Sequence, residues 1–388
     1  MTIDIDLLVT GGAGFIGCAL TRRLIADSIK GPGSLPLQIV AFDILHPQVH
    51  PNRTRPEALH ESVELVEADV CDAAGWDRLL QQVRPRKIVH LAAETGTGQS
   101  LDLPTRHTHV NVTGTATMLE ALDRHVCQPE QILLASSRAV YGEGEWLDPA
   151  NGQRYRPNRR DHAALESGRF QFVAPSGRPA IPVPHDSGMT YPEPVSVYGA
   201  TKLTQEHVLQ AWCAARSTRL TILRLQNVFG AGQSPYNLYT GIVGLFHRLA
   251  AAGQTIEVYE DGQIGRDFIP IDDVARIMAR ALAQPVTGHE AIDVGSGKAM
   301  TILDAAGMIA LLYGAPQPRI SGAFRDGDIR WAVASTERLE RQLGLSAQLD
   351  FATANLQLSR WLQETGAIAA GTTSSGLALP AASPVTSR

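Results

Sequence analysis

The architecture follows from one stretch, Ile5-Asp6-Leu7-Leu8-Val9-Thr10-Gly11-Gly12-Ala13-Gly14-Phe15-Ile16-Gly17. An apolar run of this length reads as a buried strand, and Ile16–Ala26 after it has the spacing of a helix. Between them, Gly11, Gly14 and Gly17 recur at every third position. Glycine serves such a turn because the backbone needs unusual φ, must approach a pyrophosphate closely, and must let helix and strand pack tightly. The helix then aims its free N–H groups and positive dipole end at the phosphates. Glycine-rich turns are common, but one set between a strand and a helix in the first unit of an alternating chain indicates a dinucleotide site.

Reading outward, the first third repeats this unit. Strands are expected at Asp4–Thr10, Gln38–Asp43, Val63–Ala68, Lys87–Leu91 and Gln131–Ser136, with helices at Ile16–Ala26, Trp76–Gln82 and Asn111–Arg124. Strands alternating with helices predict an α/β fold, a Rossmann-like doubly wound parallel sheet. Asp43, ending the second strand, is placed to accept hydrogen bonds from an adenosine ribose and would repel a 2′-phosphate, which favours NAD over NADP. The bland alternative is a strand-end capping Asp. Lys30–Ser34 reads as an inserted turn that lengthens the distance from the glycines to Asp43. Asp69 either sits beside the adenine or caps the following helix.

The alternation stops at Gly142–Pro194, which is rich in Pro, Gly and Arg and too long for an ordinary connection. It reads as a functional insert or a disordered loop. Its arginines, Arg154, Arg156, Arg159, Arg160, Arg169 and Arg178, could close over an anionic ligand, although simple solvation accounts for them equally well. Order resumes with a helix at Tyr198–Ala215 and a strand at Leu220–Leu225. Residues 1–226 are therefore read as the NAD-binding domain, with the insert at about 143–194. Residues 227–365 are read mainly as a smaller substrate-binding lobe. That lobe is expected to hold helices at Gly241–Ala252, Asp272–Ala283 and Ile302–Leu312 and a strand at Ile256–Tyr259, with a return strand near 291–295. Residues 366–388, made of small and polar side chains, are expected to be disordered.

The whole chain has 388 residues, 44% hydrophobic and 19% charged, with 34 basic against 39 acidic side chains. A net charge of -5 leaves no electrostatic footprint for nucleic acid or an anionic membrane. The four cysteines, Cys18, Cys71, Cys127 and Cys213, form no C-x-x-C pair, and no histidine pattern matches a metal site. No metal is expected, and His90, His107 and His109 are read as structural. The acidic start and the lack of any apolar run near ~18 residues point to a cytoplasmic protein.

The chemistry-bearing residues come last. Tyr198 and Lys202 lie four apart, hence on one face of a helix. Tyrosine has an ordinary pKa near ~10, and a nearby cation favours tyrosinate and so a base in the working range. Ser136 and Ser137 close the fifth strand at the end where open parallel sheets bind ligands. Ser137 can hydrogen-bond an oxygen undergoing oxidation or reduction.

With these residues the chain resembles the extended short-chain dehydrogenase/reductase superfamily in its nucleotide-sugar epimerase/dehydratase branch, over about residues 5–345. The motifs run in order: TGGAGFIG at Thr10–Gly17, Asp69-Val70, HLAA at His90–Ala93, Asn111 with Gly114, SSRAVYG at Ser136–Gly142, YGATK at Tyr198–Lys202, RLQNVFG at Arg224–Gly230, GRDFIPIDDVA at Gly265–Ala275, and RDGDIR at Arg325–Arg330. The resemblance implies a catalytic trio of Ser137, Tyr198 and Lys202. It implies cofactor contacts from Gly11, Gly14, Phe15, Ile16, Gly17, Asp43, Asp69, Val70, Leu91, Ala92, Ala93 and Asn111, the last also supporting the active-site helix. Substrate contacts are implied for Glu94, Ser137, Asn227, Arg266 and Arg325, the two arginines meeting a diphosphate. A homodimer is implied, formed through the apolar faces around Asn111–Leu122 and Leu203–Trp212.

One departure matters. Where the family's 4,6-dehydratases carry Thr-Asp-Glu, this chain has Ser137-Arg138-Ala139, and neither Arg nor Ala supplies the acid and base that loss of water needs. Together with His90–Ser100, the insert and Gln233–Val243, this makes the chain similar to the 4-epimerases and reductases of dTDP-6-deoxyhexoses. The expected reaction is NAD-dependent 4-epimerisation, such as dTDP-L-rhamnose to dTDP-6-deoxy-L-talose. The alternatives are a 4-ketoreductase or dehydrogenase that releases its nicotinamide, or a non-catalytic dinucleotide-binding sensor.

Overall fold

A computed structural model describes residues 2–28, 37–234, 241–284 and 291–368. The expected turn at Lys30–Ser34, part of Gln233–Val243 and most of the 366–388 tail lie outside the described residues. Five strands form in the first third: β1 (Ile3–Thr10), β2 (Ile39–Asp43), β3 (Glu64–Glu67), β4 (Val83–His90) and β5 (Gln131–Ser137). With Arg219–Leu225 and Ile292–Val294 they make one seven-stranded sheet. Its order is 292–294, 219–225, β5, β4, β1, β2, β3, and every pairing in it is parallel.

The strands are apolar on both faces because both are covered. Along β1 and β2, Leu7, Val9, Ile39 and Ala41 enter one core cluster, while Ile5, Leu8, Val40 and Phe42 enter another. The first cluster is closed by α1 (Phe15–Ser28) and the helix Ile271–Ala283. The second is closed by α2 (Ala73–Gln82) and the helices Gly114–Arg124 and Val197–Arg216. Each fully buried large apolar side chain contributes on the order of 1.5–3 kcal/mol of transfer free energy, so the sheet is the main reservoir of stability.

Several elements differ from the sequence reading. β4 starts at Val83, ahead of the expected Lys87, and contains Pro85. Over Val83–Pro85 this strand pairs with β1, and its ladder with β5 begins only at Lys87, so Pro85 occupies an open edge that asks no N–H of it. The helix Ile271–Ala283 was assigned to the smaller lobe, but it packs beside α1 on the sheet. It lies in the connection from the strand Arg219–Leu225 to its parallel neighbour Ile292–Val294, and so supplies the crossover that this pairing requires.

The insert is ordered. Trp146–Leu147 pairs antiparallel with both Arg154–Tyr155 and Ile181–Pro182, around a small cluster of Trp146, Ala174 and Ala180. A lone Trp among Pro and Gly has no period, which is why the sequence shows no element there. On the stretches Asn111–Leu122 and Leu203–Trp212, where a dimer face is expected, Leu119, Leu122, Leu209 and Trp212 belong to the chain's own core. No described helix is long and apolar enough to cross a membrane.

Candidate active site

A cleft of about 540 Å³ opens at the C-terminal edge of the sheet, its far wall made by later residues such as Ile242, Phe246, Tyr259 and Phe268. Gly11, Gly14, Phe15, Ile16, Gly17, Leu91, Ala93, Ser137, Tyr198, Lys202, Asn227, Arg266 and Arg325 all line it. Asp43, Asp69, Val70, Ala92, Glu94 and Asn111 do not.

The glycine turn is shaped by its neighbours. Gly11 has φ +66°, and a Cβ there would stand 2.8 Å from the Ala92 nitrogen. At Gly17 a Cβ would stand 2.5 Å from the Gly12 carbonyl oxygen. The loop is also tied down: the Ala13 N–H donates to Asp43 Oδ2 at 3.0 Å and the Gly11 N–H to the Phe42 carbonyl at 2.8 Å. Helix α1 starts at the cleft wall, carries no acid in its first turn, and by helix geometry has first-turn N–H groups without intrahelical acceptors. Such a cradle fits the pyrophosphate of a dinucleotide.

Asp43 is nearly buried, and its second oxygen accepts from the Leu45 N–H at 2.9 Å. Asp69 closes a turn by accepting from the Cys71 N–H at 2.8 Å, whereas the cap of α2 is Asp72, bound to the Ala74 N–H. The capping role considered for Asp69 therefore belongs to Asp72. Val70 packs against Gly114. Ala92 packs against Gly11, and Glu94 forms an ion pair with Arg106 at 2.7 Å.

Asn111 is fully buried in a wide π-turn, His109–Thr113, that precedes the helix Gly114–Arg124. Its Oδ1 accepts from the Glu94 N–H at 2.7 Å, and its Nδ2 donates to the Glu94 carbonyl at 3.0 Å and to Thr201 Oγ1 at 2.9 Å. Both hydrogens of its amide nitrogen are thereby used within the chain. It ties the end of β4 to the helix of Tyr198, which is a positioning part rather than a cofactor contact.

That helix, Val197–Arg216, is capped by Ser196, whose side chain accepts from the Gly199 N–H. Its first two turns present Tyr198 and Lys202 to the cleft. Withdrawal from water pushes the Tyr198 phenol above its ordinary value, and its hydrogen bond with Ser137 and the Arg138 charge act against that. Burial likewise brings the Lys202 ammonium down to about 7, opposed by Glu206. Lys202 Nζ donates to Gln205 Oε1 at 2.6 Å. The Arg138 guanidinium is thus one cation that acts on the phenol. Behind Lys202, Gln205 Nε2 donates to Thr115 Oγ1 at 2.9 Å, and His90 bridges Thr115 and Thr10 at 2.9 and 2.7 Å. Burial keeps His90 neutral, with a pKa near 3, which is a structural role.

Arg138 is the functional residue that the sequence reading did not place. It lines the cleft, and its Nε donates to Asn227 Oδ1 at 2.8 Å. Only its position after Ser137 hinted at this. Arg266, 5% exposed, stands 3.6 Å from Asp328, and Arg325 lies over the Tyr259 ring at 5.0 Å from its centre. The six arginines named in the insert line no part of the cleft: Arg160 is buried in ion pairs with Glu143 and Glu260, Arg154 faces Glu145, and Arg156 faces Glu193. The four cysteines are free, and the described residues contain no cluster suited to a metal ion.

The chain is similar to known proteins along most of its length. Residues 8–158 match the model described as GDP-mannose 4,6 dehydratase, and residues 161–295 match that of the NAD dependent epimerase/dehydratase family. The chain is 49% identical to a dTDP-L-rhamnose 4-epimerase of Burkholderia thailandensis, over 92% of this chain and 95% of that one. It is 30% identical to a UDP-glucose 4-epimerase of Mycolicibacterium smegmatis, over 89% and 94% of the two chains. In fold it is similar to the UDP-glucose 4-epimerase of Thermotoga maritima, with a TM-score of 0.71 and 22% identity over 93% of this chain and 99% of that one.

Proposed function

Because the chain belongs to the NAD-dependent epimerase/dehydratase family, we propose that it is a 4-epimerase of a dTDP-6-deoxyhexose, interconverting dTDP-L-rhamnose and dTDP-6-deoxy-L-talose. One observation carries this reading. Ser137, Tyr198 and Lys202 share a cleft with the glycine turn and with Arg266 and Arg325, while Arg138 and Ala139 stand where dehydration would need an acid and a base.

Tyr198, as phenolate, takes the proton of the C4 hydroxyl, and Ser137 holds the same oxygen by a hydrogen bond. NAD⁺ held at the glycine turn of Gly11, Gly14 and Gly17 would supply the acceptor for the C4 hydride and the donor for its return to the opposite face of the sugar. Tyr198 then returns its proton to the new C4 oxygen, so the cycle consumes nothing. Lys202 and Arg138 supply the positive charge that favours the phenolate. Arg266 and Arg325 hold the diphosphate by charge-assisted hydrogen bonds, and Asn227, fixed by Arg138, presents its amide to the same stretch of substrate. Asp43 receives the adenosine ribose, and Asp69 with Val70 borders the adenine.

The cofactor stays with the enzyme through each cycle, in a homodimer working in the cytoplasm. The dimer rests on family resemblance, since the apolar helix faces are already covered within the chain. Purified protein incubated with dTDP-L-rhamnose and no added cofactor is expected to give the C4 epimer by NMR without absorbance change at about 340 nm, the NADH band. A stoichiometric absorbance change, with a ketone or alcohol as sole product, would establish a dehydrogenase or reductase instead.

A further inference from the structure

Residues 143–194 line no part of the cleft, yet they hold the loop that forms its mouth. Phe324–Arg330 carries Arg325 and Asp328 to the cleft and has no strand or helix of its own. The insert and the residue that begins it grip this loop at three points. His162 Nδ1 pairs with the Asp326 carboxylate at 2.9 Å, and its ring meets the Phe324 ring edge-on at 5.3 Å. Arg160 Nη2 donates to the Asp328 carbonyl at 2.6 Å. Glu143 Oε2 accepts from the Arg330 N–H at 2.8 Å.

The middle contact is built for rigidity. The Arg160 side chain is 6% exposed, and it pairs with Glu143 at 3.3 Å and Glu260 at 2.7 Å. Glu260 in turn pairs with Arg330 at 2.9 Å. A buried pair of arginines and glutamates has one low-energy arrangement, because displacing any member strands a charge away from water. A segment that only solvated its arginines would not bury one between two carboxylates.

We infer that the 143–194 insert is a brace that sets Arg325 and Asp328 at the mouth of the cleft and thereby determines affinity for the nucleoside diphosphate end of the substrate. This rests on the reading of Arg325 as a diphosphate contact. His162 and Arg160 are positioning residues, acting through the loop and touching no ligand themselves.

The test is calorimetric titration of the full-length protein with dTDP, using H162A, D326A, their double variant, R160K and R160M. H162A and D326A are each expected to weaken dTDP binding about two- to five-fold, with the double variant no weaker than H162A, which already removes both the Asp326 pair and the Phe324 ring contact. R160M is expected to weaken it about ten-fold or more and R160K less. NAD content at purification stays at the wild-type level in all of them, and KM rises without a fall in kcat. Should R160M fail to fold, the two surface variants decide. The brace is overturned if the variants bind dTDP as the wild type does, or if dTDP affinity and NAD content fall together, as a general loss of structure would cause. A wild-type protein that binds no dTDP overturns the substrate reading itself, a different result from wild type and variants binding equally.

Discussion

Replacing Glu206 by Leu is expected to cost the fold about 3–5 kcal/mol, because it strands a buried cation. Arg224 Nε and Nη2 reach the two Glu206 oxygens at 3.0 and 2.6 Å, and the two side chains are 7% and 2% exposed. Ser136 Oγ also donates to Glu206, and the Arg224 guanidinium lies over the Tyr141 ring at 4.7 Å from its centre. The Arg224 Nη1 atom already lacks a partner, so the charge has nowhere else to turn. Whole-protein stabilities run to about 5–15 kcal/mol, so the single substitution removes a large share. Arg224→Met alone strands the carboxylate and costs a similar amount. The double variant, Glu206→Leu with Arg224→Met, leaves an apolar pair of similar volume and loses about 1–2 kcal/mol, mainly the hydrogen bond of Ser136 and the cation–ring contact with Tyr141. Urea unfolding of the four proteins then gives a coupling energy of about 4–9 kcal/mol, the two single costs less that of the double variant. A single substitution costing under about 1 kcal/mol, or a double variant costing the sum of the singles, would show that the pair does not behave as a desolvated ion pair.

Tyr198→Phe is expected to abolish epimerisation while NAD still copurifies, checked by NMR and by mass spectrometry of the released nucleotide. Arg138→Gln removes a cation that acts against the raised pKa of Tyr198, so the acid limb of the pH–rate profile moves to higher pH, and Arg138→Lys moves it less. Gly17→Ala places a methyl 2.5 Å from the Gly12 carbonyl oxygen, where only backbone could give way, and the purified variant is expected to lack bound nucleotide. Burial brings His247 down to about 4, below its unfolded value of ~6.5. The unfolded chain therefore binds the extra proton first, and the stability from neutral His247 is present above ~6.5 and lost as pH falls towards 4. Between pH 7 and 5 the wild type should lose about 2 kcal/mol more than His247→Gln, read from urea midpoints.

The parts legible in the sequence were those that carry their own signal. Glycines at 11, 14 and 17 between a strand and a helix, and the β-branched runs of β1, β2 and β5, specify a parallel sheet because few other arrangements bury both faces. Tyr198 and Lys202 fall together through helix periodicity alone. What stayed hidden depends on partners distant along the chain. Nothing near Asn111 reveals that its amide is held by Glu94 and Thr201, and nothing near Arg160 reveals two waiting glutamates. Pro85 is tolerated only because β5 begins at Gln131, opposite Lys87, which nothing near Pro85 shows. The insert was unreadable because its order comes from packing around Trp146 and from the loop it holds, neither of which has a period.

The glycine turn takes its shape from β2 and from its own crossing contacts, with Asp43 and Phe42 as anchors. A dinucleotide therefore meets a mould already set, and its binding energy is not consumed in ordering the chain. Protein stripped of nucleotide should regain it quickly on simple mixing, with little change in backbone signal, and an empty subunit should be as resistant to proteolysis at this corner as a filled one.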